Sequence, residues 1–270
     1  MSERNTGIAR TLYRQRGLLG VLVGRELKAR YRGTFLGFLW SLLNPLLLLA
    51  VYAVVFTFVI PARVPTHVPY PLFLFAGLLP WLFASGALLD AAIVLPDNGP
   101  LLKKVMCPPE VFPSVTVLAH LVHHLLALPI LLVAVVVAAA LGVMPLPWTF
   151  LLFPLPLALW VIAVGGLAMA VSALAVHFRD LKDLLQNLLN LGFFLTPIVY
   201  SPEQVPAGIL RHSVMLNPAA PLVTLYRDLL IYGRIPPLTT WLWACVVAGG
   251  FWLLGTVVFS RLRDTLAETV

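Results

Sequence analysis

Three histidines in one apolar segment have the spacing best suited to chemistry. His120, His123 and His124 stand at positions i, i+3 and i+4, so a helix would place their side chains on one face. Imidazoles on one helical face can bind a metal ion such as zinc. The apolar segment that contains them, 111–178, has no Cys, Asp or Glu. We therefore favour hydrogen bonding between helices or the lining of a pore, with a metal site as the alternative.

Asp90 is the acidic residue of an otherwise uncharged stretch, 64–94. A carboxylate within an apolar helix is costly and often functional. Asp90 stands shortly before Pro96 and Asp97, where the apolar stretch ends, so its side chain can reach the cytoplasmic interface. A role at a helix end or interface is favoured over a proton relay.

The familiar catalytic motifs are missing from the sequence. There is no GxxxxGK[ST], so the chain cannot bind ATP as a P-loop protein does. There is also no HExxH, CxxC or GxSxG. We expect no catalytic residue, no bound metal and no cofactor on this chain.

The elements that must position these residues are membrane helices. Of the 270 residues, 60% are hydrophobic and only 11% are charged, whereas soluble domains are about one quarter charged. One crossing needs about 20 apolar residues. The expected fold is an all-α membrane protein with six transmembrane helices. The spans fall at about residues 34–60, 70–94, 112–141, 148–176, 184–200 and 238–260.

The distribution of basic residues predicts the orientation. Fourteen of the 18 Lys and Arg residues lie in the N-terminal tail 1–33, in the loops after the second and fourth spans, and in the tail 261–270. Basic residues are enriched on the cytoplasmic side, so both termini are expected there. Together with attraction to anionic lipid, this accounts for the net charge of +7 without nucleic acid.

Two cytoplasmic segments are unusual. Gly17–Arg32 mixes leucines at helical spacing with basic residues, which predicts an amphipathic interface helix; a basic flank without further function is the alternative. The loop Pro96–Pro113 carries apolar and basic residues together, and a short helix fits Pro100–Met106. Such a helix suits docking to a partner, and a plain connector is the alternative.

The segment 201–237, between the fifth and sixth spans, is too apolar for a solvated loop and is broken by prolines. We interpret it as two short re-entrant helices that dip into the outer leaflet. Irregular backbone at that depth must be covered by protein or line a cavity, which implies a pathway or a gate. A cap lying on the membrane surface is the alternative.

Several motifs together resemble the ABC-2 type polysaccharide exporter permeases, which serve O-antigen, lipopolysaccharide or teichoic acid export. They run in the family's order along nearly the whole chain: 25–40 (RELKARYRGTFLGFLW), 43–46 (LNPL), 75–81 (FAGLLPW), 102–105 (LKKV), 178–183 (FRDLKD), 194–200 (FLTPIVY), 216–218 (LNP) and 226–228 (YRD). One departure is Pro108-Pro109-Glu110, where the family usually has a basic residue between Pro and Glu.

The resemblance implies a permease subunit that is not itself an enzyme. It would form a homodimer with two copies of a separate P-loop ABC ATPase, which carries ATP and magnesium. The cargo would be a lipid-linked glycan, with O-antigen first and capsule or teichoic acid as alternatives. The complex would lie in the bacterial cytoplasmic (inner) membrane, in contact with its lipid.

In the mechanism that we expect from this resemblance, ATP binding closes the pair of ATPases. The ATPases then push the segment Gly17–Arg32 and the loop Pro96–Pro113, which opens a path between the protomers. The residues expected to couple the chain to the ATPase are Arg25, Glu26, Lys28, Arg30, Leu101, Leu102, Lys103, Lys104 and Glu110. Aromatic faces suit sugar rings, and those expected along the path are Trp40, Tyr52, Phe56, Phe193, Phe194 and Tyr200. The outer gate is assigned to Pro202, Asn217, Pro218, Arg227 and Asp228.

Three other functions remain open from the sequence. An ABC-2 type exporter of drugs or free lipid would share the fold. A membrane-embedded metal enzyme would use the three histidines. A membrane scaffold without transport activity would need no ATPase.

Overall fold

A computed structural model describes residues 8–59, 68–99 and 107–269; within them, the side chains of residues 38, 56, 57 and 264–269 are not described. All regular structure in this part of the chain is helical, which confirms the all-α prediction there. The α-helices are α1 (Ile8–Arg14), α2 (Arg16–Tyr31), α3 (Trp40–Val54), α4 (Tyr70–Asp97), α5 (Val111–Ala140), α6 (Pro154–Ala175), α7 (Leu181–Leu195), α8 (Ile209–Leu216), α9 (Ala219–Arg227) and α10 (Leu238–Thr269).

Four helices in the described part are long and apolar enough to cross a bilayer: α4, α5, α6 and the portion Leu238–Arg263 of α10. Helix α3 has 15 residues and continues into a π-helical turn, Val55–Val59. Helix α7 also has 15 residues, fewer than the roughly 20 that one crossing needs. The six-span count and the span boundaries therefore stay predictions.

Helix α4 lies at the centre of the fold, with buried residues from Leu72 to Leu95. It packs against α5 and α6. Helices α6 and α10 contact each other closely because glycines face each other: a Cβ on Gly166 or Gly255 would collide with the backbone of the other helix. Small residues that let backbones approach are typical of helix packing in membranes.

Helix α2 packs on the first turns of α5 through a cluster of Leu19, Val111 and Val115. Most other α2 side chains are partly or fully exposed. A helix therefore occupies the segment predicted as an interface helix, and its position at a membrane surface stays a prediction.

The segment 201–237 contains two short helices of different burial. Helix α8 is exposed, with Ile209 at 83% exposure, whereas α9 is largely buried against α4 and α10. A π-helical turn, Asp228–Tyr232, follows and ends at Gly233, whose φ of 63° is the left-handed conformation that glycine adopts readily. The Thr149 hydroxyl donates to the Leu229 carbonyl at 2.7 Å, which fixes this turn to the helical turn Trp148–Leu152 that precedes α6.

Candidate functional site

A polar network joins the end of α2 to α4 and α5; we call it the inner network (Arg30, Tyr31, Asp90, His120, His123). The Arg30 guanidinium pairs with the Asp90 carboxylate, and His120 Nε2 lies 2.7 Å from the same carboxylate oxygen. Arg30 Nη2 also lies 3.3 Å from His120 Nε2. The Tyr31 hydroxyl lies 2.6 Å from His123 Nε2. Helix α2 is thus tied to two candidate spans.

Local sequence features allow these contacts. Gly86 lies one turn before Asp90, and a Cβ there would lie 2.6 Å from His120 Cε1, so the glycine lets the His120 ring approach α4. Burial raises the pKa of the Tyr31 phenol, and the Arg30 charge opposes this rise. The phenol therefore keeps its proton at neutral pH and can donate a hydrogen bond to His123.

The three histidines bind different partners, although they lie on one face of α5. His120 contacts Asp90, and His123 contacts Tyr31. The buried His124 donates from Nδ1 to the Leu79 carbonyl at 3.3 Å, and its Nε2 lies 3.2 Å from the Tyr226 hydroxyl. Within the described ranges, no three His, Cys, Asp or Glu side chains are grouped to hold a metal ion. Hydrogen bonds between helices thus involve all three rings.

The three rings also line a cavity of about 470 Å³, which we call the inner cavity. It lies between the end of α2, the start of α3 and the facing sides of α4 and α5. Its lining residues are Arg30, Tyr31, Thr34, Trp40, Ser41, Asn44, Pro45, Leu48, Leu79, Leu82, Phe83, His120, His123, His124 and Ala127.

A second polar centre surrounds Arg227, which is only 4% exposed. Its guanidinium donates to the backbone carbonyls of Phe73, Pro197 and Ile198 and stacks over the Phe73 ring at 3.6 Å. Gly77 makes room for it, because a Cβ there would lie 2.6 Å from Nη2. We call this centre the outer core. It fastens α9 to α4 and to the chain after α7.

The neighbouring predicted gate residues have separate partners. Asp228 accepts from Arg234 Nε at 2.7 Å rather than from Arg227. The Asn217 amide donates to Thr196 Oγ1 at 3.0 Å, and its oxygen accepts from the Ala219 backbone at 2.9 Å. Pro202, Arg227 and Asp228 line one cavity of about 620 Å³, whereas Pro218 is exposed at the start of α9. The structure therefore brings three of the five predicted gate residues to one cavity, and their role as a gate stays a prediction.

The predicted path aromatics separate into groups. Tyr52 stacks on Phe193 at 6.0 Å between ring centroids, Phe194 meets Phe193 at 5.2 Å, and Trp81 meets Phe193 at 6.1 Å. Together with Gln186 and Asn190, they line a cleft of about 280 Å³. We call it the aromatic cleft.

The other aromatics lie apart from this cleft. Trp40 lines the inner cavity. The Tyr200 hydroxyl donates to the Phe194 carbonyl at 3.2 Å. The side chain of Phe56 lies outside the described residues.

Comparison with known proteins places the chain among transporter subunits. Residues 17–231 match the ABC-2 type transporter family. The chain belongs to this family. An O-antigen export system permease, RfbA, from Myxococcus xanthus is 36% identical over 264 residues, covering 97% of this chain and 99% of that protein. A Klebsiella pneumoniae RfbA is 31% identical, covering 81% and 82%. The Escherichia coli polysialic acid transport protein KpsM is 24% identical, covering 78% and 80%.

The residues predicted to couple this ABC-2 family chain to an ATPase occupy different environments. Arg25, Glu26 and Lys28 are exposed on α2, while Arg30 turns inward to the inner network. Glu110 is 1% exposed and lies 3.5 Å from Arg263 of α10. Leu101, Leu102, Lys103 and Lys104, like the whole of the predicted helix Pro100–Met106, lie outside the described residues.

Sequence reasoning missed Tyr31 and Trp81 as site residues. Tyr31 stands between basic residues in the segment interpreted as a surface helix, and nothing in that pattern points to a partner 92 residues away. Trp81 lies within a conventional apolar span. The one available signal was the Phe-Ala-Gly-Leu-Leu-Pro-Trp motif that ends at Trp81.

Proposed function

We propose that this chain is the permease subunit of an ATP-driven exporter that carries a lipid-linked polysaccharide, O-antigen, across the bacterial cytoplasmic membrane. The observation that carries this proposal is the near full-length similarity to the Myxococcus xanthus O-antigen export permease. The second, more distant relation to a polysialic acid transport protein supports a polysaccharide cargo over a drug or free lipid.

The inner network provides a route for coupling. The exposed basic and acidic side chains of α2 would meet the ATPase, since they lie away from the packed face of this helix. A displacement of α2 would pull on Asp90 of α4 and on His120 and His123 of α5. Motion at the cytoplasmic surface would thus reach two spanning helices directly.

The aromatic cleft is suited to part of the cargo path. It lies where α3, α4 and α7 meet, and it combines flat ring faces with the amides of Gln186 and Asn190. Sugar rings stack on aromatic faces while amides bond their hydroxyls.

In the proposed assembly, two protomers and two ATPase subunits act together, with both termini of each protomer in the cytoplasm.

The experiment is complementation of a bacterial strain that makes O-antigen but lacks its permease. The chain is expressed with its partner ATPase, and surface polysaccharide is detected by immunoblot. Surface O-antigen is expected only when both proteins are present, and a P-loop Lys→Ala variant of the ATPase should abolish it. Correctly inserted protein that exports no glycan, but extrudes a hydrophobic dye, would contradict the proposal.

A further inference from the structure

The inner cavity changes polarity along its length in the same way on two of its walls. On α3, Ser41 and Asn44 are followed by Leu48. On α5, His120 and His123 are followed by Ala127. With a rise of about 1.5 Å per residue, the polar end and the apolar end of each wall are about 10 Å apart. A polar head and an apolar body of that length are the pattern of a lipid molecule.

The polar end is rich in hydrogen-bond donors. No carboxylate is among the described residues that line the cavity. Asp90 pairs with Arg30 but does not itself line the cavity. The Arg30 contacts to Glu26, Asp90 and His120 all use Nη2. Within the described parts of the chain, no Arg30 contact uses Nε or Nη1, so these donors can serve a ligand. Donors without acids favour an anion with several oxygens, such as a phosphate.

The location also favours a lipid. Helix α2 ends at the polar end and carries Arg25, Lys28 and Arg30 along this stretch. Such basic segments are attracted to the anionic lipids of the cytoplasmic leaflet. The volume of about 470 Å³ lies in the range of about 300–1,000 Å³ typical of small-molecule sites. It can therefore take a headgroup and part of one acyl chain.

We propose that the inner cavity binds one anionic glycerophospholipid of the cytoplasmic leaflet. Its phosphate lies against Arg30, and an acyl chain runs past Leu48 and Leu79 towards Ala127. This lipid is a resident ligand that goes beyond the proposed transport function. The site adjoins the aromatic cleft, with which it shares Leu48 and Leu82, but none of the aromatic rings or amides of that cleft line it. By bridging α2, α3 and α5, the lipid stabilises the contact that couples them.

The test is native mass spectrometry of the purified protein after reconstitution into nanodiscs of equal phosphatidylglycerol and phosphatidylcholine. One retained phosphatidylglycerol per protomer is expected. Ala127→Leu fills the apolar end, and Asn44→Leu removes an amide from the polar end. Each is expected to lower retention about fivefold, which corresponds to about 1 kcal/mol.

The matched control is Ala140→Leu, the same change at the exposed end of α5, which should retain the lipid. Asn44 is exposed, so its variant keeps the test decisive if Ala127→Leu fails to fold. Equal retention of the two lipids overturns the proposal. Full retention of phosphatidylglycerol by both cavity variants overturns it as well.

Two competitors distinguish the source of the phosphate. Displacement of the lipid by inorganic phosphate alone would show a free-phosphate site, and displacement by lipid-linked glycan would show a cargo site; either result overturns the proposal. Persistence of phosphatidylglycerol against both supports it. Export assays on wild-type protein report on the transport proposal separately, because lipid retention needs neither ATPase nor cargo.

Discussion

The inner network and the outer core are two polar centres built on opposite principles. In the inner network, side chains contact side chains of three different helices, and Arg30 and Asp90 remain 29% and 38% exposed. In the outer core, one buried arginine binds backbone carbonyls at the ends of other segments. The first centre is partly exposed, whereas Arg227 is nearly fully buried at the wall of the cavity of about 620 Å³.

This difference indicates which of the two polar centres can open and re-form. When the inner contacts break, each charged group can be solvated, because neither is fully buried. When Arg227 leaves its position, three carbonyls lose a donor in the interior, and an unpaired buried polar group costs about 1–3 kcal/mol. The inner network is therefore suited to being made and broken during transport, whereas the outer core holds α9 in place.

The largest expected effect is that of Arg227→Met. The methionine fills part of the space but cannot donate to the carbonyls, so the variant should lose on the order of 3 kcal/mol or more of stability. Thermal unfolding of detergent-purified protein measures this loss. Arg179→Met, at an exposed position between α6 and α7, is the control with little effect. An unchanged unfolding temperature for Arg227→Met would contradict the role of the outer core.

Gly77→Ala should perturb the same centre less. The added Cβ would lie 2.6 Å from the Arg227 guanidinium, which must shift out of its hydrogen bonds. Overpacking of this kind costs about 1–3 kcal/mol. Gly249→Ala, in α10 with nothing within 4 Å of the added carbon, is the matched control and should be neutral or slightly stabilising. Equal unfolding temperatures for the two variants would show that Arg227 has room to move.

Substitutions in the inner network should affect coupling more than stability. Arg30→Gln, Asp90→Asn and the double variant form a thermodynamic cycle whose interaction energy we expect to be about 1 kcal/mol, as for a partly exposed pair. Export per ATP hydrolysed should fall severalfold in each single variant. Arg10→Gln, exposed on α1, is the control. Normal export by Asp90→Asn would exclude the network from coupling.

Tyr31→Phe should have the smallest effect. It removes one hydroxyl and its contact with His123 but keeps the aromatic ring, so the expected loss is about 1 kcal/mol. Export should decrease less than in Asp90→Asn, without a change in the amount of inserted protein. A loss as large as that of Arg227→Met would place Tyr31 in the structural centre instead.

The helices were predictable where one physical rule acts alone. The predicted third span, 112–141, coincides within one residue with α5, because an α-helix satisfies its own backbone hydrogen bonds along an apolar run. The predicted fifth span, 184–200, differs from α7, which ends at Leu195. Thr196 precedes a proline and takes an extended conformation, so the helix stops there although the apolar run continues.

The two polar centres were not predictable from the sequence. Arg30 and Asp90 lie 60 residues apart, and Arg227 binds carbonyls 29, 30 and 154 residues away. Hydrophobic patterns define helices but carry no information about which helices become neighbours. Glu110 was expected at a coupling surface as part of the loop 96–113, yet it is buried near Arg263. Only the packing of α10 against this turn places it there.

Reconstitution into sealed vesicles tests the central claim, that cytoplasmic contacts with a separate ATPase drive this chain. Glycan movement and ATP hydrolysis are measured with the wild-type chain alone, with the chain plus ATPase, and with Asp90→Asn plus ATPase. We predict that the chain alone neither hydrolyses ATP nor moves glycan. The complex of Asp90→Asn with the ATPase should hydrolyse ATP but move less glycan than the wild-type complex. ATP hydrolysis or transport by the chain alone would contradict the account.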